Sequence, residues 1–384
     1  MAAGGPSTSG PVPPPRPPGA PRPTLARFRT DGFAGYSVAY SPFFPGLLAI
    51  ASSANFGLVG NGRLHTFNMG QIAGAPSPGI QNKRFDTQDG LFDVAWSELH
   101  ENQLVTSSGD GSIKLWDIML NDFPIRNWHE HSREVFCVDW GNIRKDLFAS
   151  CSWDHSVKIW TPERPHSIQT INAHSACVYS SMFSPHTPDT VASCSSDGLL
   201  KIWDLKSTQT SSSTVPTSVS TAPPDRAALT IPAHPTEVLS CDWNKYNPTM
   251  IATASVDRTV RIHDLRMASS SVSSMPVGAD GGRSCIATLL GHDYAIRRVA
   301  WSPHGADVLA SAGYDMTCRT WKIDGLAQQP LPPPGQGMAI PRMTDMYDQH
   351  REFVIGLAWS LFEAGVLATV SWDQECHIYT PNLM

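Results

Sequence analysis

The sequence predicts an all-β fold in one domain, a ring of seven four-stranded units, and three observations carry that prediction. A frame of four residues, His131, Ser150, Asp154 and Trp160, returns along the chain at nearly fixed spacing. Each return is embedded in short runs of alternating apolar residues, the period of strands rather than helices. The returns number seven, and units that each need a neighbour to bury their faces close most simply into a single ring, a seven-bladed propeller.

His174, Ser193, Asp197 and Trp203 repeat the frame, as do His292, Ser311, Asp315 and Trp321. His234, Thr253, Asp257 and His263 keep the register with an imidazole in place of the indole, and His350, Thr369, Asp373 and Tyr379 keep it with a phenol. In these five copies the first His precedes the Asp by 23 positions. A sixth copy, Thr106, Asp110 and Trp116, lacks the His. The remaining copy is degenerate: Tyr40 stands where Trp140 would, and a seven-residue insertion delays its closing stretch to residues 61–67.

In the best-kept unit the apolar runs are 135–140 (VFCVDW), 147–152 (LFASCS) and 156–160 (SVKIW), and a further run at 167–171 (SIQTI) precedes the next His. Every unit therefore supplies four strands. Units of about 40 residues closing on Trp-Asp, as at Trp116-Asp117 and Trp203-Asp204, match the signature of WD40 β-propellers.

Histidine, serine and aspartate together invite a catalytic reading, because those types make a nucleophilic triad. A catalytic set occurs once in a chain, whereas this one occurs once per unit, so the set is structural and no enzyme is expected. In WD40 proteins, which these residues resemble, the turn aspartate accepts from the histidine, which bonds the serine or threonine, which reaches the tryptophan. Each such buried bond contributes about 0.5–1.5 kcal/mol net.

A net charge of −6 and a pI near 6.1 give no electrostatic footprint for nucleic acid. The eight cysteines form no Cys-x-x-Cys pair and follow no secretory signal, which predicts reduced thiols, no zinc site and no cofactor. No apolar run approaches the roughly 18 residues that a spanning helix needs, so a soluble protein is expected.

Residues 1–23 are proline-rich, with too few apolar groups to offset the entropy of ordering them, and predict a disordered arm ahead of a propeller spanning 24–384. Residues 24–30 then read as a strand. The last unit stops after its third strand, at Tyr379, and would leave an open edge, so the N-terminal strand is expected to complete that blade and close the ring. Four segments rich in Ser, Pro, Gly or Thr, 69–82, 207–226, 268–284 and 325–343, read as long loops. All four fall between third and fourth strands, so they emerge from one end, the bottom in WD40 geometry. The uncluttered top is the expected binding face.

Three positions per unit point upward in that geometry: the third and fifth after the His, and the one before the Asp. They hold Gly90, Glu134, Cys177, Glu237, Ala295 and Phe353; then Tyr36, Phe92, Phe136, Tyr179, Leu239, Arg297 and Ile355; then Gly109, Trp153, Ser196, Val256, Tyr314 and Trp372. Eight are aromatic, in a chain that is 9% aromatic, and two are carboxylates, so an apolar bed with an acidic edge is expected to take an amphipathic helix with a basic end. Arg297 is expected to pair with one of those glutamates or to meet a carboxylate of the partner.

The stretches 89–97 (DGLFDVAWS), 108–117 (SGDGSIKLWD), 134–140 (EVFCVDW), 232–247 (PAHPTEVLSCDWNKYN) and 291–303 (GHDYAIRRVAWSP) are more specific than the tetrads. On them the sequence resembles the family of receptors for the type-2 peroxisomal targeting signal, the seventh peroxin, over roughly residues 33–381. The resemblance implies a cytosolic receptor that cycles to the peroxisome and binds cargo enzymes through a signal near their N-terminus: a basic residue, an aliphatic one, five variable residues, His or Gln, then an aliphatic. On a helix those four fixed positions fall at about 0°, 100°, 340° and 80°, within one face. It also implies a largely disordered peroxin as co-receptor, docking peroxins at the peroxisomal membrane, and no insertion of the receptor into the bilayer.

Carried onto this chain, the implied signal site comprises Phe92, Glu134, Phe136, Trp153, Tyr179, Glu237, Arg297, Tyr314, Phe353 and Trp372, with Glu134 or Glu237 meeting the basic residue. The fold alone leaves open another reading, a WD40 scaffold in a different assembly such as a histone-binding or ubiquitin-ligase adaptor subunit.

Overall fold

The structure, a computed structural model, describes residues 24–57, 60–69, 82–120, 123–208, 227–268, 284–326 and 340–383. Among them, 28 strands form seven four-stranded antiparallel sheets. Blades 1 to 6 each take four consecutive strands, over residues 34–87, 91–128, 135–172, 178–232, 238–289 and 296–347. Blade 7 takes three, Val354–Trp359, Leu367–Ser371 and Glu375–Tyr379. Its fourth strand is Thr24–Arg29 from the other end of the chain, with Ala26 opposite Ile378 and Arg29 opposite Glu375. This is the closing strand that the sequence predicts. Phe28 stacks on Phe67 of blade 1 at 4.6 Å, and the Thr24 hydroxyl lies 3.4 Å from that of Tyr347 in blade 6, so the closure is tied on both sides.

The arm 1–23 and most of the four long loops lie outside the described residues. The last loop ends sooner than expected, because Ile340–Tyr347 is an eight-residue strand whose first residues the sequence assigns to loop. Pro341 conceals it. A fourth strand is the outer edge of its blade, where a missing N–H is no loss.

The blades are held face to face by interleaved apolar side chains, since strands such as Phe148–Ser152 are buried at every position. Val157, Ile159 and Ile171 of blade 3, for example, pack with Val178, Val191 and Trp203 of blade 4. The tetrads form as read. His131 Nδ1 lies 2.8 Å from Asp154 Oδ2 and Nε2 lies 2.8 Å from Ser150 Oγ, which accepts the Trp160 indole N–H at 2.8 Å. Blade 4 repeats this through His174, Asp197, Ser193 and Trp203, and blade 6 through His292, Asp315, Ser311 and Trp321. In blade 5 His263 reaches Thr253 Oγ1 at 3.1 Å, and in blade 7 Tyr379 stacks on Tyr347 at 3.7 Å.

Buried imidazoles set the acid response, and burial lowers the tetrad residues His131, His174 and His234 among them. Burial, with nearby cationic side chains, lowers His65 to about 3, and burial likewise lowers His263 to about 3 and depresses His377. His65 is 1% exposed, stacked on Phe67, and neither ring nitrogen has a hydrogen-bond partner among the described residues. An imidazole that stays neutral in the fold but takes a proton when unfolded favours the unfolded chain below about pH 6.5, so stability is lost as pH falls from there toward 3. The tetrad aspartates act lower. Burial alone would raise Asp154, Asp257 and Asp315, but their histidine bonds hold them below the usual carboxylate range, and their contribution is lost only below about pH 4.

The melting temperature is therefore expected to fall between pH 7 and pH 5. His65→Leu, which removes an unpaired buried imidazole, is expected to add about 1–3 kcal/mol at pH 7 and to flatten that fall. Thermal denaturation of the two proteins across the range checks both expectations; an unchanged slope would contradict the role given to His65.

Candidate functional site

Two backbone devices build the top face. In every blade the pairing of first and second strands skips one residue, and the seven residues skipped are Tyr36, Phe92, Phe136, Tyr179, Leu239, Arg297 and Ile355. A bulge of this kind re-aims its side chain out of the pleat, here toward the mouth of the ring. The residue before each tetrad aspartate then donates its N–H to the carbonyl of the residue three after the histidine. Trp153 donates to Glu134 at 3.1 Å, Val256 to Glu237 at 3.1 Å, Tyr314 to Ala295 at 2.9 Å and Trp372 to Phe353 at 3.1 Å. The three positions read from the repeat are thereby brought to one place in each blade.

Their rings meet in an unbroken belt. Tyr314 contacts Phe353 at 5.0 Å, Phe353 contacts Trp372 at 5.3 Å, and Trp372 contacts Tyr36 at 5.8 Å. Tyr36 contacts Phe92 at 5.1 Å, Phe92 contacts Phe136 at 4.8 Å, and Phe136 contacts Trp153 at 4.7 Å and Tyr179 at 5.7 Å. The belt runs from blade 6 through blades 7, 1, 2 and 3 to blade 4, and the Tyr179 hydroxyl extends it to blade 5 by donating to Glu237 Oε2 at 3.0 Å. Burial, with the charge of Glu237, raises the Tyr179 phenol, so it stays a donor.

Within the belt the residues differ in what they offer. Phe136, Trp153, Tyr179, Tyr314, Phe353 and Trp372 are half-buried and present ring surface. Phe92, at 7% exposed, lies beneath them as support. Arg297 departs from its expected role. It is 6% exposed, its Nη1 donates to Leu239 O at 3.0 Å, and its guanidinium lies 5.6 Å over the Phe136 ring, so it holds the floor instead of pairing with a glutamate or facing a partner.

The two carboxylates flank blade 4, from blades 3 and 5. Glu134 lies 3.6 Å from the half-exposed Arg133 Nε, which offsets its charge. Glu237 has the Tyr179 phenol as partner and no cation within ion-pair reach among the described residues. Glu237 is therefore the better anchor for an incoming cation.

Below the belt, Arg298 of blade 6 reaches across the channel to Asp93 of blade 2 at 3.5 Å, while Asp93 also accepts the N–H groups of Val94 and Val138. Asp139 and Asp242 accept the Phe183 and Trp301 N–H groups, each at 2.7 Å, and burial pushes Asp139 up to about 7. A cavity of about 260 Å³ adjoins these groups and opens toward the bottom.

The sequence reading missed Phe56. It lies in the insertion between the second and third strands of blade 1, is 49% exposed, and its ring sits 5.4 Å from that of Trp372. The bottom mouth carries exposed apolar side chains too, among them Phe43, Leu99, Ile143 and Phe362. The corresponding positions of blades 4, 5 and 6 stitch their turn to the next blade: His186 bonds Asn244 O, Tyr246 bonds Pro303 O and His304 bonds Ser360 O. Those three bottom positions have a structural task, whereas the half-buried rings of Phe136, Trp153, Tyr314, Phe353 and Trp372 in the belt above make ring contacts.

The WD40 family model, described as WD domain, G-beta repeat, matches residues 81–117, 123–161, 165–204, 226–264 and 283–322. Over 390 residues the chain is 35% identical to the peroxisomal targeting signal 2 receptor of Saccharomyces cerevisiae, covering 92% of this chain and 99% of that protein. The protein of the same name from Komagataella phaffii is 38% identical over 408 residues, 92% of this chain and 98% of its own. That from Mus musculus is 39% identical over 355 residues, 92% of this chain and 96% of its own.

Proposed function

This chain belongs to the WD40-repeat family of peroxisomal targeting signal 2 receptors, and from that membership we propose that its top face takes the type-2 signal of cargo proteins as an amphipathic helix. The observation that carries this reading is the continuous aromatic belt with Glu237 at its end. A helix whose fixed residues share one face lays its aliphatic residues on the half-buried rings of Phe136, Trp153, Tyr179, Tyr314, Phe353 and Trp372, and its basic residue against Glu237, with Glu134 beside it. Phe92 and Arg297 act from beneath, keeping Phe136 in place.

The family is a receptor family and not an enzyme class. The repeated His, Ser and Asp groups are engaged in their tetrad bonds, which leaves them a structural role. A helix lying on the belt still shows its outer side to water. A co-receptor segment, from the largely disordered peroxin that the family resemblance implies, fits there and seals it. Pick-up in the cytoplasm, delivery to docking peroxins at the peroxisomal membrane and release of matrix enzymes complete the reading. A scaffold for acidic or phosphorylated peptides is less well supported, because Arg297 is the sole basic residue among the upward positions and is buried.

Hydrogen exchange tests which face is used. With signal-bearing cargo and co-receptor added, amides at 133–136, 237–239, 353–355 and 371–374 are expected to slow, while the bottom turns at 41–46 and 97–102 stay unchanged. Protection confined to the bottom turns would contradict the proposal.

A further inference from the structure

We propose that Phe56, on a loop peculiar to blade 1, reads the end of the cargo helix farthest from its basic residue and so sets the direction in which the signal lies across the ring. The proposal rests on the reading of the top face as the signal site.

Blade 1 departs from the other blades between its second and third strands. Ser53 stands at the place of Trp153 and still pairs with Ala34, but Ala54 stands at the place of Asp154 and its N–H bonds Asn61 O at 2.8 Å, so the tight turn made elsewhere is replaced by a longer loop, of which residues 54–57, 60 and 61 are described. Asn55 and Phe56 both take left-handed backbone conformations, with φ of 48° and 56°. For a bulky residue this costs about 1–2 kcal/mol, so something must hold it there. The Tyr36 hydroxyl does so, donating to Phe56 O at 2.7 Å, and the Phe56 ring rests on Trp372.

The outcome is an apolar ring kept in water at a backbone cost, which is how strained residues at binding sites are usually found. Trp372 beneath it has a buried indole N–H without a hydrogen-bond partner among the described residues, so moving Phe56 aside breaks no bond there.

Placement gives Phe56 its role. In a ring of seven, the seam between blades 7 and 1 lies diametrically opposite blade 4, and the glutamates flank blade 4. A helix with its basic residue at Glu237 that crosses the mouth therefore brings its far end to Phe56 and Trp372. About 12 Å separates the first and ninth residues of such a helix. Phe56 then forms the outer wall for the final aliphatic residue of the signal.

The test is fluorescence anisotropy, with co-receptor present, of the native full-length chain, Phe56→Ala and Phe56→Leu against three labelled peptides. These are the type-2 signal, the signal with its last aliphatic residue changed to alanine, and the signal with its basic residue changed to glutamine. Phe56→Ala is expected to weaken the unaltered signal about tenfold, and Phe56→Leu less. The tenfold loss is expected to vanish with the altered aliphatic residue and to persist with the altered basic residue, since only groups in contact couple. Equal affinity of Phe56→Ala and the native chain, or coupling to the basic residue instead, overturns the proposal while native binding upholds the receptor reading. A native chain that binds no peptide overturns that reading and this proposal with it.

Discussion

Glu237→Lys is expected to weaken signal binding by at least about 2 kcal/mol, some 30-fold, because it removes one partner of a partly desolvated charge pair and replaces it with a repelling one. Glu237 is half-buried, is oriented by the Tyr179 hydroxyl at 3.0 Å, and has no cation within ion-pair reach among the described residues. Glu134→Lys is expected to cost less, since Arg133 already stands 3.6 Å from that carboxylate. Tyr179→Phe keeps the ring and the charge and loses only the orienting bond, so a few-fold effect is expected. Titration calorimetry with a signal-bearing cargo and co-receptor separates the three variants. An order with Glu134→Lys the most damaging would move the basic residue to blade 3.

Arg298→Leu is expected to destabilise the fold by about 3 kcal/mol, the low end of the range for breaking a buried ion pair, since a cavity of about 260 Å³ beside it relieves part of the loss. Among the described residues the guanidinium is the one cation spanning the channel to Asp93, whose side chain is 1% exposed, and its positive charge also faces Asp139 and Asp242. Removing it leaves the Asp93 carboxyl with its two backbone N–H donors but without an ionic partner among the described residues. The double variant Arg298→Leu with Asp93→Asn removes both charges and is expected to recover much of the loss in chemical denaturation. A double variant no more stable than Arg298→Leu alone would show that the pair does not bridge the ring energetically.

The blade count, the tetrads and the closing strand were legible because each is a repeat, and spacing survives substitutions such as His263 and Tyr379 that change residue type. The upward positions were legible for the same reason. What lifts one of them in every blade was not. The bulge at Phe136 leaves VFCVDW looking like plain alternation, and only the pairing of Val135 with Ser152 and Cys137 with Cys151 reveals it. Arg297 was misjudged because the repeat gives direction but not depth; the floor of the mouth is set by Phe136 above it and Leu239 beside it. Phe56 was invisible because an insertion has no equivalent in the other units. The pair of Arg298 and Asp93 joins residues 205 apart across the ring, and no periodicity marks it.

The central claim is that this top face reads the basic residue of a type-2 signal, and the direct measurement is anisotropy of a labelled signal peptide titrated with the receptor, with and without co-receptor, beside a peptide whose basic residue is changed to Glu. The account predicts tight binding of the first peptide with co-receptor, loss of the second, and its recovery by Glu237→Lys. Equal binding of both peptides by the native chain, or no binding of either with co-receptor present, would contradict it.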